Sequence, residues 1–298
     1  MKTHSPSDTA ILIGRSILLS ARDASLAPLL SAGEEEATRR ILGERASEGW
    51  FGFAEQQPWF RSCLMAAKHL LLGGIFAHYL ARKRWIEGEV FRALEAGVRQ
   101  VVIAGAGYDT LAWRLHRDWP EVQFFEVDHP ATQAPKREAL GESENLHFLP
   151  GDLSALTLPE ILVPDARYRR DESTLLIAEG LTMYLPEPRV RALLASAAML
   201  AGTKGRVIFT FMEAGEDGSI SFRGENPLVS LWLQLRREPF RWGCSRDELS
   251  SFLRSTGLRA ESVANHRELR ARILAPRRAP FVRLARGECL CLCEPLVR

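Results

Sequence analysis

Cysteine is scarce in this 298-residue chain and is not spaced as a disulfide framework. The five cysteines, an odd number, point to a reducing compartment. Three of them, Cys289, Cys291 and Cys293, alternate with Leu290 and Leu292, so on a strand their thiols share one face. A thiolate metal site gathers four ligands, and neither Cys63 nor Cys244 sits in a paired motif that would complete one. Small buried side chains are the simpler reading, and no metal is expected. Net charge is nearly absent as well, at +2, which excludes a general polyanion binder. Long apolar runs are missing. The longest, Cys63 to Ala81, is interrupted by Lys68, His69 and His78 and reads as a buried helix, not a membrane span. At the start, Met1-Lys2-Thr3-His4-Ser5-Pro6-Ser7-Asp8 has no basic cluster leading into an apolar core, so no secretory signal is read there. The expectation is a soluble, cytoplasmic protein with neither a nucleic-acid nor a membrane partner.

What is present suits a large globular fold, with 46% hydrophobic and 26% charged residues. Residues 8–95 read as helical throughout. Asp8-Thr9 offers an N-cap to Ala10, Ile11, Ile13, Ile17 and Leu18, and Glu34-Glu35-Glu36 reads as a solvated first turn of a helix ending near Gly43. From residue 100 the chain alternates. Strand-like runs fall at 100–104, 122–127, 146–149, 174–178 and 206–212, with helix-compatible stretches between most of them. This predicts a parallel sheet covered on both faces. Two more strands are expected at 259–264 and 287–293, with an arginine-rich surface excursion between them from Glu268 to Pro280. Residues 213–245 mix glycines and prolines with large apolar side chains and read as an irregular, lid-like insertion.

The most informative run is Val101-Val102-Ile103-Ala104-Gly105-Ala106-Gly107, an apolar β-branched strand breaking into a glycine turn. Glycines at such a turn let backbone approach a ligand closely. A second run, Phe124-Phe125-Glu126-Val127-Asp128, ends in an acid about 20 residues on, the spacing at which a carboxylate grips ribose hydroxyls. Where a third glycine would be expected stand Tyr108, Asp109 and Thr110. That disfavours a pyrophosphate on the helix N-terminus, and with it a nicotinamide-dependent oxidoreductase. It favours a nucleoside without phosphates, such as S-adenosylmethionine.

Four blocks together resemble the leucine carboxyl methyltransferase-type family of class I S-adenosylmethionine-dependent methyltransferases. They are Arg99 to Leu115, Phe125-Glu126-Val127-Asp128-His129-Pro130 with Lys136-Arg137, Gly151-Asp152-Leu153, and Ile177-Ala178-Glu179-Gly180-Leu181-Thr182-Met183-Tyr184-Leu185. The likeness is nearer to the bacterial tetracenomycin-type polyketide O-methyltransferases than to the phosphatase-modifying enzymes. It implies an α/β Rossmann-like fold with a mostly parallel sheet and one antiparallel strand. An N-terminal helical cap over 1–95 would contribute to the cofactor and acceptor pocket, and a cofactor-binding domain over 96–298 would carry the lid at 213–245. It also implies site roles. Asp128 would hold the ribose, Asp152 and the Leu153 N–H the adenine, and Gly105 and Gly107 would pass under the methionine. Glu179 would lie near its ammonium and Arg84 would pair with its carboxylate, with Arg82 and Arg15 as competitors for that last role.

The implied reaction is in-line methyl transfer to a hydroxyl or carboxylate oxygen of a small, polyketide-like molecule. Protein C-terminal carboxyl methylation is the alternative. A hydroxyl acceptor needs a general base, and Tyr184, Glu179 or a histidine are the candidates. Trp232, Phe240 and Trp242 are candidate walls of the acceptor pocket. His69 and His78 read first as buried histidines. The arginines from Arg254 to Arg286 read first as a solvated face, and second as a docking site for an acidic carrier protein.

Overall fold

The computed structural model describes residues 8–71, 74–222, 240–277 and 282–296. Five helices come first: α1 (Asp8–Ser20), α2 (Glu34–Leu42), α3 (Gly49–Gln56), α4 (Pro58–Leu71) and α5 (Ile75–Glu95). The sheet strands are β1 (Gln100–Ala104), β2 (Gln123–Asp128), β3 (Leu146–Pro150), β4 (Thr174–Ala178), β5 (Arg206–Glu213), β6 (Gly243–Cys244), β7 (Leu258–Ala264) and β8 (Glu288–Pro295). Between them lie α6 (Leu111–Leu115), α7 (Pro130–Leu140), α8 (Leu158–Leu162), α9 (Glu187–Ala201), α10 (Arg246–Ser255) and α11 (His266–Leu269).

The strands stand in the order β3-β2-β1-β4-β5-β8-β7, with the two-residue β6 beside β5. The pairs β1–β2, β1–β4, β2–β3 and β4–β5 are parallel, whereas β8 runs antiparallel to both β5 and β7. This is a mixed α/β sheet, mostly parallel, with one reversed strand. The order turns outward on either side of β1, so the carboxyl ends of β1 and β4 flank the crevice where ligands of such sheets sit.

Alternating side chains build two cores. Val101, Ile103, Phe124, Phe148, Ile177 and Ile208 join Leu80, Trp85, Ile86 and Val90 of α5 on one face. Val102, Ala104, Phe125, Val127, Leu176 and Phe209 join Leu193, Leu194, Leu249 and Leu253 of α9 and α10 on the other. Cys289, Cys291 and Cys293 all point into this second core, with Cys291 Sγ 3.4 Å from Cys293 Sγ.

Two expectations need correction. Glu34 is not solvated. It is buried and accepts the Ser31 N–H at 2.9 Å, and burial pushes its carboxyl above the ordinary value despite the nearby Lys83 and Arg114. Nor is Glu268 to Pro280 an excursion as far as it is described. An Asn265–Glu268 capping box starts α11, which continues into a π-helical turn (Arg270–Leu274) that packs on α5 and buries Leu269, Ile273 and Leu274. Several of the neighbouring arginines are engaged: Arg259 by Glu294, Arg270 by the Val282 carbonyl and Arg277 by the Ile273 carbonyl.

Candidate active site

β1 ends in Gly105 and Gly107, both left-handed, with φ of 69° and 50°. The Gly105 N–H donates to the Val127 carbonyl at 2.8 Å, which draws the turn across the end of β2. A Cβ at Gly105 would stand 3.0 Å from a Leu181 methyl, so both the backbone and Leu181 exclude other residues there. A Cβ on Gly107 would meet only the Ala10 Cβ, at 4.0 Å, which leaves bare backbone toward an open space.

Asp128 closes β2 and accepts the N–H groups of Gly107 and His129. Burial pushes its carboxyl up, while those two hydrogen bonds and the field of Lys136 pull the other way. Gly151 donates to the Asp128 carbonyl at 2.8 Å, so the loop carrying Asp152 and Leu153 is pinned beside it. Asp152 accepts from the Ser154 N–H and hydroxyl, an Asx turn that keeps its acidity above normal against slight burial.

Across β1 a buried ladder of charges spans the crevice. Glu288 at the head of β8 takes Arg82 at 2.6 Å. Arg82 also takes Glu179, which follows β4, at 2.9 Å. Lys83 reaches Glu179 at 3.3 Å and pairs with Asp109, which follows the glycine turn. Both cations lie over the Tyr79 ring. Burial opposes charging Lys83, but Asp109 and Glu179 overcome it and hold its pKa well above normal. Desolvation works against the Asp109 charge, but the Lys83 and Lys136 charges together with hydrogen bonds from Lys83 and the Leu111 N–H hold its carboxyl far below its normal range.

The remaining sequence candidates divide. Arg84 does not reach Glu179. It donates to Ser31 Oγ at 2.9 Å and to Glu87 at 2.7 Å. Arg15 is held by the Arg45 carbonyl at 2.8 Å and by Glu48 at 3.1 Å. Tyr184 and Phe240 form one aromatic contact, with ring centroids 5.7 Å apart. Trp242 belongs to the core and is not a pocket wall: it is buried and packs 5.0 Å from the Phe252 ring of α10. Trp232 and most of the insertion, 223–239, lie outside the described residues.

The model of leucine carboxyl methyltransferases matches residues 22–198, more than half the chain. The chain belongs to the leucine carboxyl methyltransferase family. Relatives of this chain are provisionally named S-adenosyl-L-methionine-dependent methyltransferases, and the match spans less than half the length of one and about three quarters of another. A relative from Frankia alni, provisionally named an S-adenosyl-L-methionine-dependent methyltransferase, is 30% identical over 222 residues, covering 63% of this chain and 74% of the relative. One of the same name from Parafrankia is 36% identical over 137 residues, 44% of this chain and 43% of its own length. A solved structure, that of TnmH, aligns with 21% identity and a TM-score of 0.45 over 85% of this chain and 64% of its own.

Sequence reading did not single out Lys83 and Glu288 for the charge ladder, noted Asp109 only as a departure from the glycine pattern, and set Arg82 behind Arg84. A signal existed for the arginines. Residues two apart on a helix point about 200° from one another, so only one of Arg82 and Arg84 can face the sheet end.

Proposed function

We propose that this chain transfers the methyl group of S-adenosylmethionine to an oxygen, hydroxyl or carboxylate, of a small molecule of polyketide-like or other secondary-metabolite type. The observation that carries the reading is the Arg82–Glu179–Lys83–Asp109 ladder, which ends just after the glycine turn whose Gly107 N–H meets Asp128. Two cations alternating with two carboxylates complement an amino-acid zwitterion. The bare Gly107 backbone and a strand-end carboxylate complement the nucleoside half, so the residues present fit the cofactor.

In this reading Arg82 and Lys83 take the methionine carboxylate, and Glu179 and Asp109 its ammonium. Asp128 turns to the ribose hydroxyls, and Asp152 with the Leu153 N–H reads the adenine edge. When bound, the cofactor supplies a methyl already activated on a sulfonium, so the chain's task is alignment and exclusion of water. The helices before β1 and the 213–245 segment would build the acceptor side.

Titration with S-adenosylhomocysteine should show binding, and Asp128→Asn should weaken it by about 1.5–3 kcal/mol. Asn keeps an oxygen for the Gly107 N–H, so the loop should survive. Unchanged affinity in that variant would refute the ribose role.

A second reading, methylation of a protein C-terminal carboxylate, is favoured by the description of the matching family model. Product chemistry separates the acceptors: a methyl ester is cleaved by mild alkali, whereas a methyl ether survives it. A carboxylate acceptor should also give activity flat above about pH 6, because it is already ionised there.

A further inference from the structure

α5 carries Tyr79, Arg82 and Lys83 at positions i, i+3 and i+4, so the three share one face of the helix. That face meets Glu179 after β4 and Asp109 after the glycine turn. The Arg82 guanidinium lies 4.8 Å from the centre of the Tyr79 ring, and Lys83 Nζ lies 5.1 Å from it. Both cations are already paired with carboxylates, Arg82 with Glu288 and Glu179, Lys83 with Asp109 and Glu179. The ring and the acids together fix the two cationic heads.

The Tyr79 hydroxyl is the polar group of this face that has no hydrogen-bond partner among the described residues. It is not sealed in either: Tyr79 is half-buried, and its oxygen is not among the unpartnered polar atoms cut off from water. Burial pushes the phenol above its ordinary value, with Glu179 and Asp109 adding to that and Lys83 and Arg82 opposing it. The hydroxyl therefore keeps its proton and is a neutral donor, not a base. The four charges acting on it are the ladder itself, so the free donor stands beside the ladder. An anionic group entering there is repelled by Glu179 and Asp109, and Arg82 and Lys83 are shared with those acids. The Tyr79 hydroxyl is a donor that no acid has taken.

We propose that the Tyr79 hydroxyl binds the α-carboxylate at the methionine end of the cofactor, as a third donor beside Arg82 and Lys83. This rests on the methyl-transfer reading above and deepens it with a residue that lies outside all four sequence blocks. The hydroxyl donates to a carboxylate oxygen and no proton is transferred. A hydrogen bond to an ionised acceptor is stronger than one between neutral groups, so the gain falls on the amino-acid end and not on the nucleoside. With Asp128 on the ribose and Tyr79 on the carboxylate, the sulfonium is held between two anchors, which is what in-line transfer requires.

The test titrates wild type and Tyr79→Phe with S-adenosylhomocysteine and with 5′-methylthioadenosine, which has the same nucleoside and thioether but no amino-acid end. Phe keeps the ring beside the two cations and removes only the oxygen. Tyr79→Phe should weaken S-adenosylhomocysteine by about tenfold or more, the usual size for a lost hydrogen bond to a charged group. Binding of 5′-methylthioadenosine should stay unchanged, which also reports that the variant is folded. S-adenosylhomocysteine affinity within about threefold of wild type overturns the proposal. Equal loss for both ligands overturns it as well, because a merely structural tyrosine would disturb the whole crevice. Wild type that binds the two ligands equally tightly overturns it too, since the amino-acid end would then go unrecognised. These three outcomes leave the methyl-transfer reading in place, whereas failure of wild type to bind S-adenosylhomocysteine would strike that reading itself.

Discussion

Lys136→Met should cost about 3–5 kcal/mol of folding stability, the usual loss when one partner of a buried ion pair is removed. Lys136 reaches from α7 beneath the sheet to Glu126 of β2, and neither side chain is exposed beyond 1%. Even with its partner present, burial pushes the Glu126 carboxyl up to about 7 against the pull of Lys136. Without Lys136 that carboxyl titrates higher still. A folded-state pKa raised above the unfolded one means the native state holds the extra proton, so stability falls as pH rises from about 4.5 through the folded pKa. The deficit measured by urea unfolding should accordingly be larger at pH 8 than at pH 5. Adding Glu126→Leu to Lys136→Met should recover most of the loss, since an apolar pair of similar volume leaves no buried charge. A double variant no more stable than the single one would show that Lys136 acts through packing instead.

Arg82→Leu should do comparable damage, about 3–5 kcal/mol, and weaken S-adenosylhomocysteine binding as well, because Arg82 joins Glu288 and Glu179 in one buried contact. Here the pH dependence reverses. In the wild type, Glu288 is depressed to about 2, so its contribution is full above its ordinary value of 4.5 and drains as pH falls toward 2. With Arg82 gone, desolvation dominates and raises Glu288, so stability should instead fall as pH rises from about 4.5. Arg84→Ala is the control. Its partners are Ser31 and Glu87 at 2.9 and 2.7 Å, outside the ladder. Its cost should stay within about 1 kcal/mol, with cofactor affinity unchanged. Equal loss of affinity in the two variants would return the methionine carboxylate to Arg84.

The sequence by itself determined the strands, because parallel strands buried on both faces must be continuous apolar runs. Val101–Ala104 and Leu175–Ala178 are such runs, Phe124–Val127 is broken only by Glu126, and all three lie where alternation placed them. It also determined the glycine turn and Asp128, whose chemistry depends on local backbone and spacing. Tertiary structure decided which charges meet. Arg82 and Arg84 are two residues apart and alike in type. Only the seating of α5 against β4 and β8 turns the first to Glu179 and Glu288 and leaves the second on Glu87. Glu288 comes to His78 and Arg82 because β8 inserts antiparallel beside β5, a pairing across the whole domain that no local pattern announces. Trp242 looked like a pocket wall for the same reason: aromatic type and position in an insertion say nothing about which face it buries. The two-residue β6 carries too little periodicity to be read at all and exists only because Met212 and Glu213 are there to pair with it. Local chemistry is written in neighbours along the chain, whereas the charge ladder requires long-range closure, which only packing of the two cores supplies.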